Sequence, residues 1–382
     1  MAEMKTTTMR RRKPWMAAEW VLLPTSMVLV QLFTIGALIL TKLSFNVGMA
    51  PFVLLAYRNL VGAIVVLPFA LWFESCNFRG MMKKVTWKIL GWISINALFG
   101  IVLAMGLHYY GLRATDAAYT VNFLNLIPIV TFIIAVIFRM EKLKLKTCLG
   151  VTKVIGTVIC VGGTMVISLY KGKLLHLWPT HLLTPAQLHS VGGGGGSPDH
   201  HGMLVGTLFL CGSCLSYALW FIVQAKVSKE FPSKYLSTML ACLLGTVQAA
   251  VLGVAVDRDP SAWVLRWDLQ LLTVVYSGVF NTAASFCLIT WAVTRRGPTY
   301  PSMFNCLALI LTVVLESVLL GTDVSVGSLL GALMIIVGLY AFLWGKGKEI
   351  QQQKQIRETN DVDRSKTIDS TSNGEVRIPV DS

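Results

Sequence analysis

Ten apolar runs, each long enough to cross a bilayer, constrain this chain more than any other feature in it. A spanning helix needs about 20 mostly apolar residues. Runs of that kind occupy Val21–Thr41, Pro51–Phe73, Ile89–Tyr109, Ala117–Phe138 and Thr147–Leu169. Five more occupy Met203–Val223, Leu236–Val256, Leu271–Val293, Ser302–Leu320 and Gly327–Leu343. In hydrocarbon every backbone N–H and C=O must bond within the protein, so such runs fold as helices. Charged residues make up only 14% of the chain, against about 25% in soluble domains. The reading is an all-α polytopic membrane protein with ten transmembrane helices, in contact with a lipid bilayer.

The formal net charge of +14 would suggest nucleic acid in a soluble protein, but here the basic residues flank the spans. With the N-terminus inside, 25 Lys and Arg fall in cytoplasmic segments and 6 on the other side. Those six are Lys42, Arg113, Lys171, Lys173, Arg258 and Arg266. Such a bias orients a membrane protein, and it predicts that both termini are cytoplasmic. Residues 1–20 are polar, with Arg10, Arg11, Arg12 and Lys13, and show no cleavable signal, so the first span reads as a retained anchor. Most of the eight cysteines lie in apolar runs, which argues against a disulfide framework. Cys211 and Cys214, a C-x-x-C within such a run, read as packing residues. The loop 171–202 lies outside and carries Gly192–Gly196 with five of the six histidines, whose spacing fits no standard metal site. The polar tail 347–382 is expected to be disordered.

Internal symmetry organises the rest. Gly156-x6-Gly163…Lys171-Gly172-Lys173 returns as Gly331-x6-Gly338…Lys346-Gly347-Lys348 at an offset of 175. Tyr119, Phe123 and Thr131 match Tyr300, Phe304 and Thr312 at an offset of 181. An odd number of spans per half turns the second half over, so residues 21–170 and 203–346 read as two inverted five-helix repeats. Secondary transporters are commonly built so, with a site near the bilayer midplane exposed alternately to each side.

Several segments carry a family resemblance. They are Pro51-x5-Tyr57-Arg58-Asn59 with Leu67-Pro68, Asn125-x2-Pro128-x2-Thr131-Phe132, and Arg139-Met140-Glu141-Lys142-Leu143. Lys153-Val154-Ile155-Gly156-Thr157, Ser302-Met303-Phe304-Asn305 and Gly338-Leu339-Tyr340 continue the series. In order and spacing they resemble the plant nodulin-21-like, walls-are-thin-related branch of EamA-type carriers in the drug/metabolite transporter superfamily. The resemblance covers about residues 20 to 348 and implies transport of amino acids, and in some members auxin or related metabolites, across plasma or vacuolar membranes. Cys306 stands where that family often has proline, and Gly321-Thr322-Asp323 where it often has Gly-Glu; both departures bear on substrate, not fold.

Ionisable residues within spans are costly and usually face a cavity or a partner. Arg58 lies about 10 Å deep and Glu316 about 7 Å deep from the outer side. They are expected to pair or to share an outer chamber, with Arg58 either meeting a substrate carboxylate or locking the second span to the ninth. Lys153 is expected to snorkel to the cytoplasmic interface or to act at a gate. Pro128 offers a break or a kink in the fourth span. Neutral polar side chains can bind an amino acid without burying net charge, and Asn96, Tyr119, Asn122, Asn125, Trp220, Asn281, Ser285, Tyr300 and Asn305 are the candidate lining. Each could instead bond helix to helix. The spans hold no acidic residue near the midplane, which favours facilitated diffusion over proton coupling. No cofactor is implied. There is no Walker motif for a pump, no His–acid cluster for a membrane enzyme, and no charge ring for a channel. The expected function is a carrier for small organic solutes, most of all amino acids.

Overall fold

The computed structural model describes residues 2–73, 85–115, 120, 123–140, 147–170, 174–175, 200–231, 233–256, 263–265, 268–320 and 324–372. Eight helices among these are long and apolar enough to cross a membrane, and two shorter apolar helices, Ile127–Ile137 and Thr299–Leu315, fall at the fourth and ninth positions of the sequence reading. Large apolar side chains such as Ile64, Ile137, Leu208, Val251 and Tyr340 are more than half exposed, a surface that only lipid tolerates in such density.

The first span, Val21–Phe45, lies within a helix running from Ala2 to Asn46. The second is Pro51–Phe73, the fifth Cys148–Leu169, the sixth His200–Glu230 and the seventh Lys234–Val256. The third and eighth are each interrupted by π-helical turns. Leu98–Met105 interrupts Trp87–Ala114, and Ser277–Ala284 interrupts Leu269–Arg296. The fourth and ninth are broken. In the fourth, the Leu126 N–H donates to the Phe123 carbonyl ahead of helix Ile127–Ile137; in the ninth, Leu307 donates to Phe304 between Thr299–Met303 and Asn305–Leu320. Those tight three-residue turns stand 181 positions apart, the offset at which these spans align.

Packing follows a pseudo-two-fold. The fifth and tenth spans pack on each other, as do the second and seventh; the sixth packs on the third and fourth as the first packs on the eighth and ninth. The repeated glycines form the clearest crossing. A Cβ on Gly156 would meet Phe342 N and Gly338 O at 2.7 and 2.8 Å, and one on Gly163 would meet Gly331 O at 2.7 Å. Reciprocally, a Cβ on Gly331 would meet Gly163 O at 2.5 Å and one on Gly338 would meet Gly156 O at 2.6 Å. Gly156 thus touches the counterpart of Gly163, and Gly163 touches the counterpart of Gly156, the signature of an isologous contact, and small residues let the backbones approach this closely.

The helical architecture carries one short pairing, Leu174–Leu175 antiparallel with Val324–Ser325, where the end of the fifth span and the start of the tenth emerge side by side. One expectation needs correction. The tail expected to be disordered continues the tenth span as one helix, Val326–Ser372. Between Gly347 and Gly374 no glycine or proline interrupts a run rich in Glu, Gln, Lys and Arg, all good helix formers. Residues 373–382 and most of the loop 171–202 lie outside the described residues.

Candidate functional site

The symmetric defects surround a cavity of about 120 Å³. One water needs about 10–15 Å³ measured this way, so the space suits a solute of about ten non-hydrogen atoms. Its polar wall comes from most of the spans around it. The first gives Gln31, Thr34 and Thr41, the second Arg58, the third His108 and Tyr109, and the fourth Asn125. The sixth gives Tyr217 and Trp220, the eighth Asn281 and Ser285, and the ninth Asn305 and Thr312. Trp220, Asn281 and Thr34 lie near the middle of their spans, so the cavity reaches mid-membrane.

Arg58 carries the fixed charge of the site and is 1% exposed. Its Nη1 donates to the Tyr109 hydroxyl and its Nε to Thr282 Oγ1 at 3.1 Å, which ties the second span to the third and eighth. Its Nη2 is buried with no hydrogen-bond partner among the described residues, and none of the described carboxylates pairs with it. Asn125, buried at the break of the fourth span, leaves both its amide nitrogen and oxygen without a partner among the described residues. Buried polar groups without partners cost about 1–3 kcal/mol each, so both residues gain from a polar solute.

Other wall residues join spans. Gln31 Nε2 donates to Asn305 Oδ1 and Thr34 Oγ1 to Asn281 Oδ1, each at 3.3 Å. Ser285 donates to the Phe280 carbonyl five residues back, at 2.9 Å, holding the π-helical turn. On the other wall Trp220 packs against Phe221 and Phe286, with ring centroids 4.8 and 5.4 Å away. Gly100, within the third span's π-helical turns, makes room for that indole, since a methyl there would overlap its ring.

Six of the candidate residues therefore meet at one cavity: Arg58, Asn125, Trp220, Asn281, Ser285 and Asn305. Asn96 and Tyr300 do not line it. Asn96 is buried twelve residues before His108, about 18 Å along the helix, where its half-span packs against the sixth and seventh. Tyr300 is buried in a separate apolar cluster against Phe304. Tyr119 and Asn122 lie outside the described residues, as does the side chain of Glu316, whose backbone stands one turn beyond Thr312 on Asn305–Leu320. Lys153 does not snorkel. It is 2% exposed and pairs with Glu349 at 2.7 Å, because the helical continuation of the tenth span carries a carboxylate past the end of the fifth. Pro128 sits in the first turn of Ile127–Ile137. It has no N–H for the Leu124 carbonyl, which favours the break.

Sequence reasoning missed Gln31, Thr34, Thr41, His108, Tyr109, Tyr217 and Thr312. The first-span set was legible, since Gln31, Thr34, Leu38 and Thr41 recur at three or four residues and share one face. His108 and Tyr109 sit near a span end, where polar residues ordinarily mean interface.

Two facing helical halves closing on a polar cavity, with broken and π-bulged helices at its wall, define a membrane transporter of small solutes. The chain belongs to the EamA-like transporter family, which matches residues 22–169 and again 204–344. Three WAT1-related proteins of Arabidopsis thaliana are 35%, 32% and 36% identical to it over 330, 387 and 317 residues. Those alignments cover 85%, 98% and 82% of this chain and 81%, 96% and 83% of the relatives. A protein of known crystal structure shares the fold at 17% identity, with a TM-score of 0.57 over 83% of this chain and 96% of its own. The family consists of transporters, not enzymes.

Proposed function

We propose that the chain is a carrier for amino acids, working by alternating access between its two halves. The observation that supports this most is Arg58, a buried guanidinium in the cavity wall whose Nη2 lacks a partner among the described residues. A planar fork of this kind matches a carboxylate. The amide oxygens of Asn125, Asn281 and Asn305 offer acceptors for an ammonium group without adding net charge. The cavity volume suits solutes of amino-acid size. A second reading, an aromatic acid such as auxin, is favoured by the Trp220, Phe221 and Phe286 wall. Both termini are cytoplasmic on this reading, and the plasma membrane is the favoured site, with the vacuolar membrane as the other.

The test uses purified full-length protein in liposomes and a labelled amino-acid panel, with auxin and carboxamide analogues included. Saturable flux of acids but not of their amides is expected. Arg58→Lys keeps the charge and loses the fork; a hydrogen bond to a charged group is worth about 1.5–3 kcal/mol, so affinity should fall by about 10- to 150-fold. Unchanged affinity for a carboxylate would remove Arg58 from recognition. Tags at residues 1 and 382 on opposite faces would overturn the inverted-repeat orientation.

A further inference from the structure

The cavity wall holds one imidazole, a type of side chain that can gain or lose a proton in response to the charges around it, and substrate recognition leaves it without a role. His108 follows the π-helical turns of the third span by three residues, is 5% exposed and lines the cavity. Its neighbour Tyr109 accepts the hydrogen bond from Arg58. The imidazole has a ring contact with Tyr109, centroids 6.2 Å apart, and no hydrogen-bond partner among the described residues. An ionisable group that is buried in a span and unpaired is a candidate functional group.

The surroundings decide what it can do. The charged or titratable side chains sharing its cavity are Arg58 from the second span, Tyr109 beside it and Tyr217 from the sixth. Among the described residues, the polar groups that the first, fourth, eighth and ninth spans contribute to the wall are uncharged: Gln31, Thr34, Thr41, Asn125, Asn281, Ser285, Asn305 and Thr312. Near the wall, Lys42 follows Thr41, and Cys214 of the sixth span donates to the Phe123 carbonyl. Among the described side chains, none of the wall residues is a carboxylate. Arg58 keeps its proton throughout, and phenols keep theirs across this range. An imidazolium would be a second cation facing one small cavity, repelled by Arg58 unless an anion lies between them.

We propose that His108 is the proton-binding group of this carrier, so that a carboxylate substrate crosses together with one proton. This rests on the reading of Arg58 as the carboxylate site. The substrate carboxylate, held by Arg58, is the anion that lets His108 charge. By linkage the proton then favours the substrate to the same degree. A ring nitrogen lone pair takes a proton from water on the side where substrate enters. After the halves rock, that N–H bond breaks and the proton leaves with the substrate on the other side. Nothing is oxidised or reduced, and one solute and one proton move in the same direction. The lack of acidic residues near the midplane of the spans favours simple facilitation; the histidine supplies the missing coupling group.

The experiment uses the full chain in liposomes, with a labelled mixture of neutral amino acids outside and a trapped pH-sensitive dye. An acidic exterior should drive accumulation above the external level, with one proton entering per solute. The exchange rate should rise at least about fivefold from pH 8 to pH 5, the lower end of ordinary coupling between two sites. His108→Gln cannot take up a proton, and its rate should vary by less than about twofold over that range with no accumulation. If that variant does not fold, the wild-type proton count decides alone. Flux that only equilibrates, moves no protons and ignores pH overturns the role of His108 and leaves the carrier reading intact. No saturable flux of any panel acid overturns both.

Discussion

Adding one methyl at Gly338 should destabilise the protein through backbone contact alone. A Cβ there would lie 2.5 Å from Cys160 N and 2.6 Å from Gly156 O, whereas ordinary contact begins at 3.4 Å. Both obstacles are main chain of the fifth span and cannot rotate away, so the helices must part by about 0.9 Å. Overpacking of this kind costs about 1–3 kcal/mol, and the separation also weakens dispersion along the whole crossing. The pseudo-two-fold sharpens the expectation. Gly163→Ala, at the counterpart position, should cost a similar amount, since its Cβ would meet Gly331 O at 2.7 Å. Gly156→Ala and Gly338→Ala act on one contact, so once either has opened it the second should cost less. Unfolding of the three single variants and this double variant, followed by tryptophan fluorescence in a titration of mixed micelles with denaturing detergent, measures all of this. Unchanged stability of Gly338→Ala would refute the crossing. Additivity of the two changes within about 0.5 kcal/mol would refute their sharing of one contact.

Two further substitutions test other parts of the structure. Glu349→Gln removes the carboxylate paired with Lys153, which is 2% exposed; breaking a buried pair costs about 3–5 kcal/mol, and the partly accessible Glu349 puts the loss at the lower end. Replacing both by Met and Leu should recover most of it in the same unfolding assay, and failure to recover would show that the ammonium is held by other contacts. Gly100→Ala drives a methyl into the Trp220 indole, so under the proposed amino-acid transport it should raise the KM for substrates with large side chains more than for alanine, measured as uptake into liposomes.

The repeat was legible because it is written in glycine. Gly156, Gly163, Gly331 and Gly338 can be aligned by eye, and the same four turn out to touch each other. Arg58 and Asn125 were legible because polar groups stand out in apolar runs. The ion pair of Lys153 with Glu349 was not, since it depends on a helix continuing past Gly345 and Gly347, where composition suggested a stop. The π-helical turns were invisible for a physical reason. They place one extra residue in a turn without any residue type that demands it, and they re-aim everything that follows. Beyond Leu98–Met105 come His108 and Tyr109; beyond Ser277–Ala284 come Ser285 and Phe286, all on the cavity wall.

The broken spans are where the rocking motion of the proposed alternating access would be taken up. Asn125 and Asn305 stand at matched interruptions on opposite sides of the pseudo-two-fold, and both line the cavity. Joints at the wall of the site would let each half-helix tilt while its remainder stays packed in its own half. Pro128→Ala tests this, because it supplies an N–H for the Leu124 carbonyl. An uninterrupted fourth span then becomes more favourable, since an interior proline costs a helix about 3 kcal/mol. The variant should be at least as stable as the parent in unfolding, yet slower in exchange, where the carrier must pass between its two openings. Substrate affinity at equilibrium should change less than the exchange rate, because the wall residues of the other spans remain in place. If exchange keeps the parental rate while stability rises, the break at Asn125 is architecture without motion, and the joint must lie elsewhere.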